Sequence, residues 1–142
     1  MISRPTFGGA LTGALAVSLA LGLGGCGTST TSTSGFKGEQ HAVAQTIANL
    51  QSHGTALEAK KVCSQDLAST VVKPLNRATG GCVKAIEKQL KQVDSFEVTV
   101  ESVKVSGATA SAQVKSVHEG KQAISTVDLV KEGGRWRISS FS

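Results

Sequence analysis

Three histidines are the first residues to weigh for chemistry, because imidazole titrates near neutral pH and ligates metals. His41, His53 and His118 are widely separated in the chain. His41 opens a predicted helix, His53 ends it, and His118 begins a predicted turn. No short spacing of His, Cys, Asp or Glu suits a metal ion. Nucleophilic catalysis needs a Ser or Cys beside a base. The serines fall mostly in the N-terminal run, in turns and at alternating strand positions, and none forms a strand–turn–helix elbow. Asp128 is the carboxylate candidate, since it sits inside a predicted strand and acid/base work needs a carboxylate in an apolar pocket. Alternation places it opposite Val127 and Leu129, so it faces water if those two face the core. Trp136 is the single Trp. It is either a core plug beside Ile138 or the floor of a pocket. Leu129, Val114 and Phe96 join these two as candidate lining of a cavity or a core. These residues form no catalytic cluster, and neither a cofactor nor a metal is expected.

The remaining chemistry is that of sulfur. Cys26 ends the stretch Leu23-Gly24-Gly25-Cys26, and the charge-free run from Ala10 to Leu23 precedes it. At about 1.5 Å per residue that run makes a helix of about 21 Å. A bilayer core needs about 20 residues, so the run suits the apolar region of a signal peptide better than a membrane span. An aliphatic residue, two small residues and Cys resemble the bacterial lipobox, in which the thiol takes a diacylglyceryl group before cleavage. Residues 1–25 are then a lipoprotein signal peptide. Residues 26–38 are the lipidated Cys26 and a Gly/Ser/Thr tether too poor in apolar residues to fold. Residues 39–142 are the folded domain. The expected location is the extracytoplasmic face of the cell membrane, held by the lipid.

Cys63 and Cys82 are the two other thiols. In an oxidising compartment a structural disulfide is the default reading for such a pair. Closing a loop of about 20 residues contributes roughly 3 kcal/mol in the chain-entropy picture. A redox pair would have two residues between its thiols, and zinc would need four ligands at short spacing. The formal charge is +5, from 15 Lys and Arg against 10 Asp and Glu. Export argues against a nucleic-acid partner, as does the lack of aromatics interleaved with the basic residues. Lys84, Lys88 and Lys91 recur at helical spacing. They form the wet face of an amphipathic helix, or a basic stripe leaning on anionic lipid headgroups.

Two periodicities position these residues. Val43, Ile47 and Leu50 make one apolar stripe of a first helix, with Gly54 as its left-handed cap. Thr55-Ala56-Leu57-Glu58 has capping-box spacing and opens a short second helix. Pro74 and Gly80-Gly81 mark residues 69–81 as an irregular connection. A third helix spans about Cys82 to Val93, with Val83, Ile86, Leu90 and Val93 on one face. The period then becomes two. Phe96, Val98 and Val100 alternate, and Val103 and Val105 alternate in the other phase, so a β-bulge is expected near Glu101-Ser102. Turns at Ser106-Gly107, Glu119-Gly120-Lys121 and Glu132-Gly133-Gly134 divide four strands of an antiparallel meander. The fold class is α+β, with N-terminal helices packed on one face of the sheet.

The stretch VTVESVKVSGATASAQV and the strand–turn–strand LVKEGGRWRI follow a helical hairpin and a spaced Cys pair. Together they resemble the small exported lipoproteins of actinobacteria with a nuclear transport factor 2-like domain. The resemblance covers residues 39–142. It implies a curved sheet wrapped around the helices as a cone, often with a cavity at its open end, and it allows a homodimer through the sheet. Family members include isomerases and dehydratases as well as binding and scaffold domains. Its steroid-isomerase branch uses a Tyr as oxyanion donor, and this chain has no Tyr. The expectation is a non-enzymatic, membrane-anchored lipoprotein that binds a small apolar ligand or a cell-envelope protein. The alternatives are a small isomerase or dehydratase using the cone, and a structural partner of a membrane complex.

Overall fold

The structure, a computed structural model, describes residues 31–94 and 96–142. The expectations for Cys26 and for residues 1–25 lie outside the described residues. Helix α1 spans Gly38–Thr55 and α2 spans Ala59–Lys61, followed by a π-helical turn at Val62–Asp66. Helix α3 spans Ser69–Arg77 and α4 spans Gly81–Leu90. Strands β1 (Val98–Ser106), β2 (Thr109–His118), β3 (Lys121–Glu132) and β4 (Arg135–Phe141) complete the described chain.

The four strands form one antiparallel sheet in the order β1-β2-β3-β4. Each is joined to the next by a two-residue turn, and Gly107, Gly120, Gly133 and Gly134 there take positive φ. The register of β1 on β2 slips between Val100 and Ser102. That is the phase change read from the sequence: the extra residue brings both Val100 and Val103 to the buried face. Ala110, Ala112 and Val114 of β2, Val127 and Leu129 of β3, and Trp136 and Ile138 of β4 are buried on that face. Val43, Ala44, Ile47 and Leu50 of α1 pack against them in one core. Asp128 lies on the other face, where it accepts a hydrogen bond from the Ser140 hydroxyl (2.9 Å).

The borders of the sheet are engaged by other parts of the chain. Leu67 pairs with Ile138 in a single parallel bridge, and Ala68 N–H donates to the Ile138 carbonyl (2.7 Å). At the opposite border, Gln40 donates to the Val103 carbonyl (3.0 Å) and Thr31 to the Val98 carbonyl (2.6 Å).

The helical half departs from the sequence reading in five places. Thr55 closes α1 instead of opening α2, whose N-cap Glu58 makes no side-chain cap bond. Gly54 lies inside α1 rather than capping it, and a Cβ there would stand 3.4 Å from the Phe96 ring. The left-handed position falls instead on Leu57 (φ 57), which ends up exposed. Residues 69–77 form α3 with Pro74 inside it. Its first turn is held from a distance, since Ser69 N–H and hydroxyl both donate to the Glu132 carboxylate. Helix α4 ends at Leu90, and its inner face is Cys82, Ile86 and Leu90, while Val83 and Val93 are exposed. Residues 31–38, read as tether, are partly packed: Phe36 rests on the core and Thr31 is 9% exposed. One aromatic supplies the apolar area that the Gly/Ser/Thr run otherwise lacks.

Candidate functional site: a polar cleft between α1, the π-helical turn and β4

The sequence-predicted residues separate into three places. Cys63 and Cys82 are joined in a disulfide with Cα atoms 6.2 Å apart. It ties the π-helical turn to the start of α4. Asn76 assists there by accepting a hydrogen bond from Cys82 N–H (3.0 Å). Val114, Leu129, Trp136 and Ile138 are buried in the core, and Phe96 packs against it from the α4–β1 connection. Their side chains fill the space between helices and sheet. Lys84, Lys88 and Lys91 all lie exposed along α4.

The histidines do not cluster with one another. His118 is exposed at the end of β2, and His41 Nε2 lies 3.3 Å from the Thr33 hydroxyl. His53 has a partner that the sequence did not announce. Its Nδ1 is 2.7 Å from Oδ2 of Asp66, and Asp66 is 2% exposed. The π-helical turn makes this contact. Widening the helix by one residue per turn carries Asp66 inward under the last turns of α1, and such turns recur at functional sites. Burial pushes the Asp66 carboxyl above the ordinary Asp range, against the opposing pull of the His53 hydrogen bond and of the nearby His53 and Arg137 charges. Arg137 itself donates to the Ser64 carbonyl (2.7 Å).

Asp66 lies in the wall of a cleft of about 390 Å³. Helix α1 contributes His41, Gln45, Thr46 and Asn49, the π-helical turn adds Gln65, and β4 adds Arg135 and Trp136. Thr46 donates to the Ala42 carbonyl (3.1 Å) and reaches the Trp136 carbonyl (3.4 Å), so its position is fixed from both sides. The indole is held too: Trp136 Nε1 donates to Glu39 (2.6 Å), and Lys131 donates to the other Glu39 oxygen (2.8 Å). The Lys131 ammonium stands 5.6 Å from the centre of the indole ring, within cation–π range. Those two hydrogen bonds, Lys131 first and Trp136 second, hold the Glu39 carboxyl below the ordinary Glu range. The cleft therefore offers amide, hydroxyl, carboxyl and guanidinium groups over one aromatic edge. Among the described residues no group of three His, Cys, Asp or Glu could hold a metal ion.

Residues 41–141 match the model of a family described as "Putative lumazine-binding". The chain belongs to that family. The lumazine-binding-like domain takes in every wall of the cleft, from His41 to Trp136. Its fold is α+β, with helices on one face of a four-stranded antiparallel meander. No curated protein matches the chain significantly in sequence. Among solved structures, a SEC-C motif containing protein from Rhodopseudomonas palustris superposes with a TM-score of 0.51 at 12% identity. That match covers 68% of this chain and 74% of the other. An NTF2-like protein of unknown function from Shewanella baltica gives 0.45 at 20% identity, covering 72% of this chain and 90% of the other. A de novo designed NTF2 fold protein gives 0.46 at 17%, covering 79% and 87%.

Sequence reasoning missed Asp66, Thr46, Asn49 and Gln65. Nothing local in residues 62–66 marks a π-helical turn. A buried carboxylate opposite a helix-terminal His, 13 residues apart, becomes visible only once the turn is folded.

Proposed function

We propose that this protein is a lipid-anchored, extracytoplasmic binding domain whose small ligand occupies the cleft between α1, the π-helical turn and β4. The observation that carries the reading is the cleft itself, a recess of about 390 Å³ with the buried Asp66 in its wall. Buried carboxylates are costly unless partnered, and a cleft lined by one is a default candidate for binding. The lining sharpens the expected ligand class. Gln45, Asn49, Gln65, Thr46 and Asp66 present donors and acceptors, so the ligand is a compact hydrogen-bonding heterocycle rather than a purely apolar molecule. The name of the family points the same way, since lumazine carries ring N–H and C=O groups on a flat bicycle. The lipobox-like Leu23-Gly24-Gly25-Cys26 supports the anchor.

Two measurements test the proposal on the full-length protein purified from membranes in detergent. Intact mass should show a diacylglyceryl group on Cys26, and Cys26→Ser should lack that mass. Titration with lumazine should quench or shift Trp136 emission, and Asp66→Asn should weaken binding about tenfold, the equivalent of about 1.4 kcal/mol. An absence of saturable binding to the wild type removes the cleft as the site.

A second reading, an isomerase or dehydratase, rests on one observation. The Asp66 carboxyl is raised by burial and hydrogen-bonded to His53, an arrangement that could move a proton. Turnover of a bound heterocycle that is abolished by Asp66→Asn would favour it over simple binding.

A further inference from the structure

Thr31, the first described residue, is bonded to the domain. The Thr31 hydroxyl donates to the Val98 carbonyl (2.6 Å) and meets the side chain of Gln51. Five residues upstream lies Cys26. Five residues of any backbone span at most about 18 Å, at 3.3–3.6 Å each. Helix α1, with 18 residues, is about 27 Å long. Its last turns sit at the Thr31 end, where Gly54 touches Phe96. Its first turns sit by Lys131 and Trp136 at the other end. An anchor on Cys26 therefore holds the Val98 end of the domain to a membrane and keeps the far end off it.

That end is built for such contact. A groove of about 450 Å³ opens there, with Val93, Phe96 and Val98 among its walls. Val93 is 40% exposed, and Leu57, just beyond Gly54, is 56% exposed. Ile124, 71% exposed, lies one rung in from the Val98–Ser116–Ala123 row of the sheet. Two of the five large apolar side chains left exposed among the described residues, Leu57 and Val93, thus lie at the Thr31 end on the helical side, and Ile124 lies at that end on the outer face of the sheet. The charges nearest them in sequence and register balance, with Lys88, Lys91, Lys115 and Lys121 set against Asp94, Glu97, Glu101 and Glu119.

We propose that this end rests on the lipid surface, with Val93, Leu57 and Ile124 reaching the headgroup–acyl boundary. The contact is apolar rather than electrostatic, and the α1–β4 cleft faces the water beyond. The inference rests on acylation of Cys26 as proposed above.

The test uses the natively acylated full-length protein in phosphatidylethanolamine–phosphatidylglycerol liposomes. A nitroxide is carried by p-acetylphenylalanine in place of Val93, of Leu57, or of Ala108 at the far turn. This chemistry leaves the disulfide alone, and all three positions are exposed. At 93 and 57, collision with a water-soluble nickel chelate should be several-fold lower than at 108, and collision with oxygen higher. Raising salt to about 1 M, where the Debye length is about 3 Å, should leave the contrast unchanged. Equal nickel access at 93 and 108 in liposome-bound protein overturns the orientation while leaving the anchor intact. Collapse of the contrast in salt overturns the apolar contact in favour of the lysines. Wild-type protein that fails to float with liposomes overturns the anchor and this orientation together.

Discussion

Helix α1 has two unlike sides. Towards the sheet it presents Val43, Ala44, Ile47 and Leu50, all buried in one apolar core. Towards the π-helical turn and β4 it presents Thr46, which reaches the Trp136 carbonyl, His53, which meets Asp66, and Asn49, which lines the cleft. Apolar burial is non-directional and contributes about 25 cal/mol per Å², so the first side supplies stability. The second side supplies geometry. Its hydrogen bonds contribute about 1 kcal/mol each, yet they decide where a carboxyl and an imidazole stand. A small domain can leave a polar cleft on one side of a helix only because the other side is fully packed.

Breaking the packed side should cost most. Ile138→Ala, at a position with no exposure, should destabilise by about 2–5 kcal/mol, read from chemical denaturation followed by circular dichroism. Opening the Cys63–Cys82 bond, by reduction or by a double serine replacement, should cost about 3 kcal/mol for its separation of 19 residues. On the polar side, Asp66→Ala leaves His53 without its buried partner and should cost about 1–3 kcal/mol.

The sharper test there is pH. The folded state holds the Asp66 proton more tightly than the unfolded chain does. The stability linked to that proton is therefore complete below the ordinary Asp value of 3.8 and is lost as pH rises through the raised one. Unfolding free energies of the wild type should fall relative to Asp66→Asn across that window, by about 1.4 kcal/mol per unit of displacement. His53 and Arg137 are the charged neighbours that oppose the effect. The smallest change belongs to the surface: Lys115→Ala breaks the exposed pair with Glu101 and should shift the unfolding midpoint by less than about 0.5 kcal/mol equivalent.

The same division explains what could be read from the chain. The sheet was legible because a period of two, punctuated by Gly-containing turns, has few competing solutions. Even the slip after Val100 showed as a change of phase between Val100 and Val103. The disulfide followed from the count and placement of thiols. Helix α3 was missed because Pro74 and the paired glycines outweighed the helical spacing of Val71, Val72 and Leu75. What stabilises its first turn, Glu132, comes 63 residues later. The His53–Asp66 pair was missed for a related reason. It depends on a π-helical turn, set by how the segment packs between α1, α4 and β4 rather than by its own residues. Core and register are encoded locally and repeatedly; the cleft is encoded once, in tertiary contacts.

The two outer strands have a further consequence. Bare strand borders invite other chains to extend a sheet indefinitely. Here Leu67 and Ala68 occupy one margin, and the side chains of Gln40 and Thr31 hold carbonyls of the other. This domain therefore meets other copies of itself with part of each margin already engaged, which limits fibrillar growth.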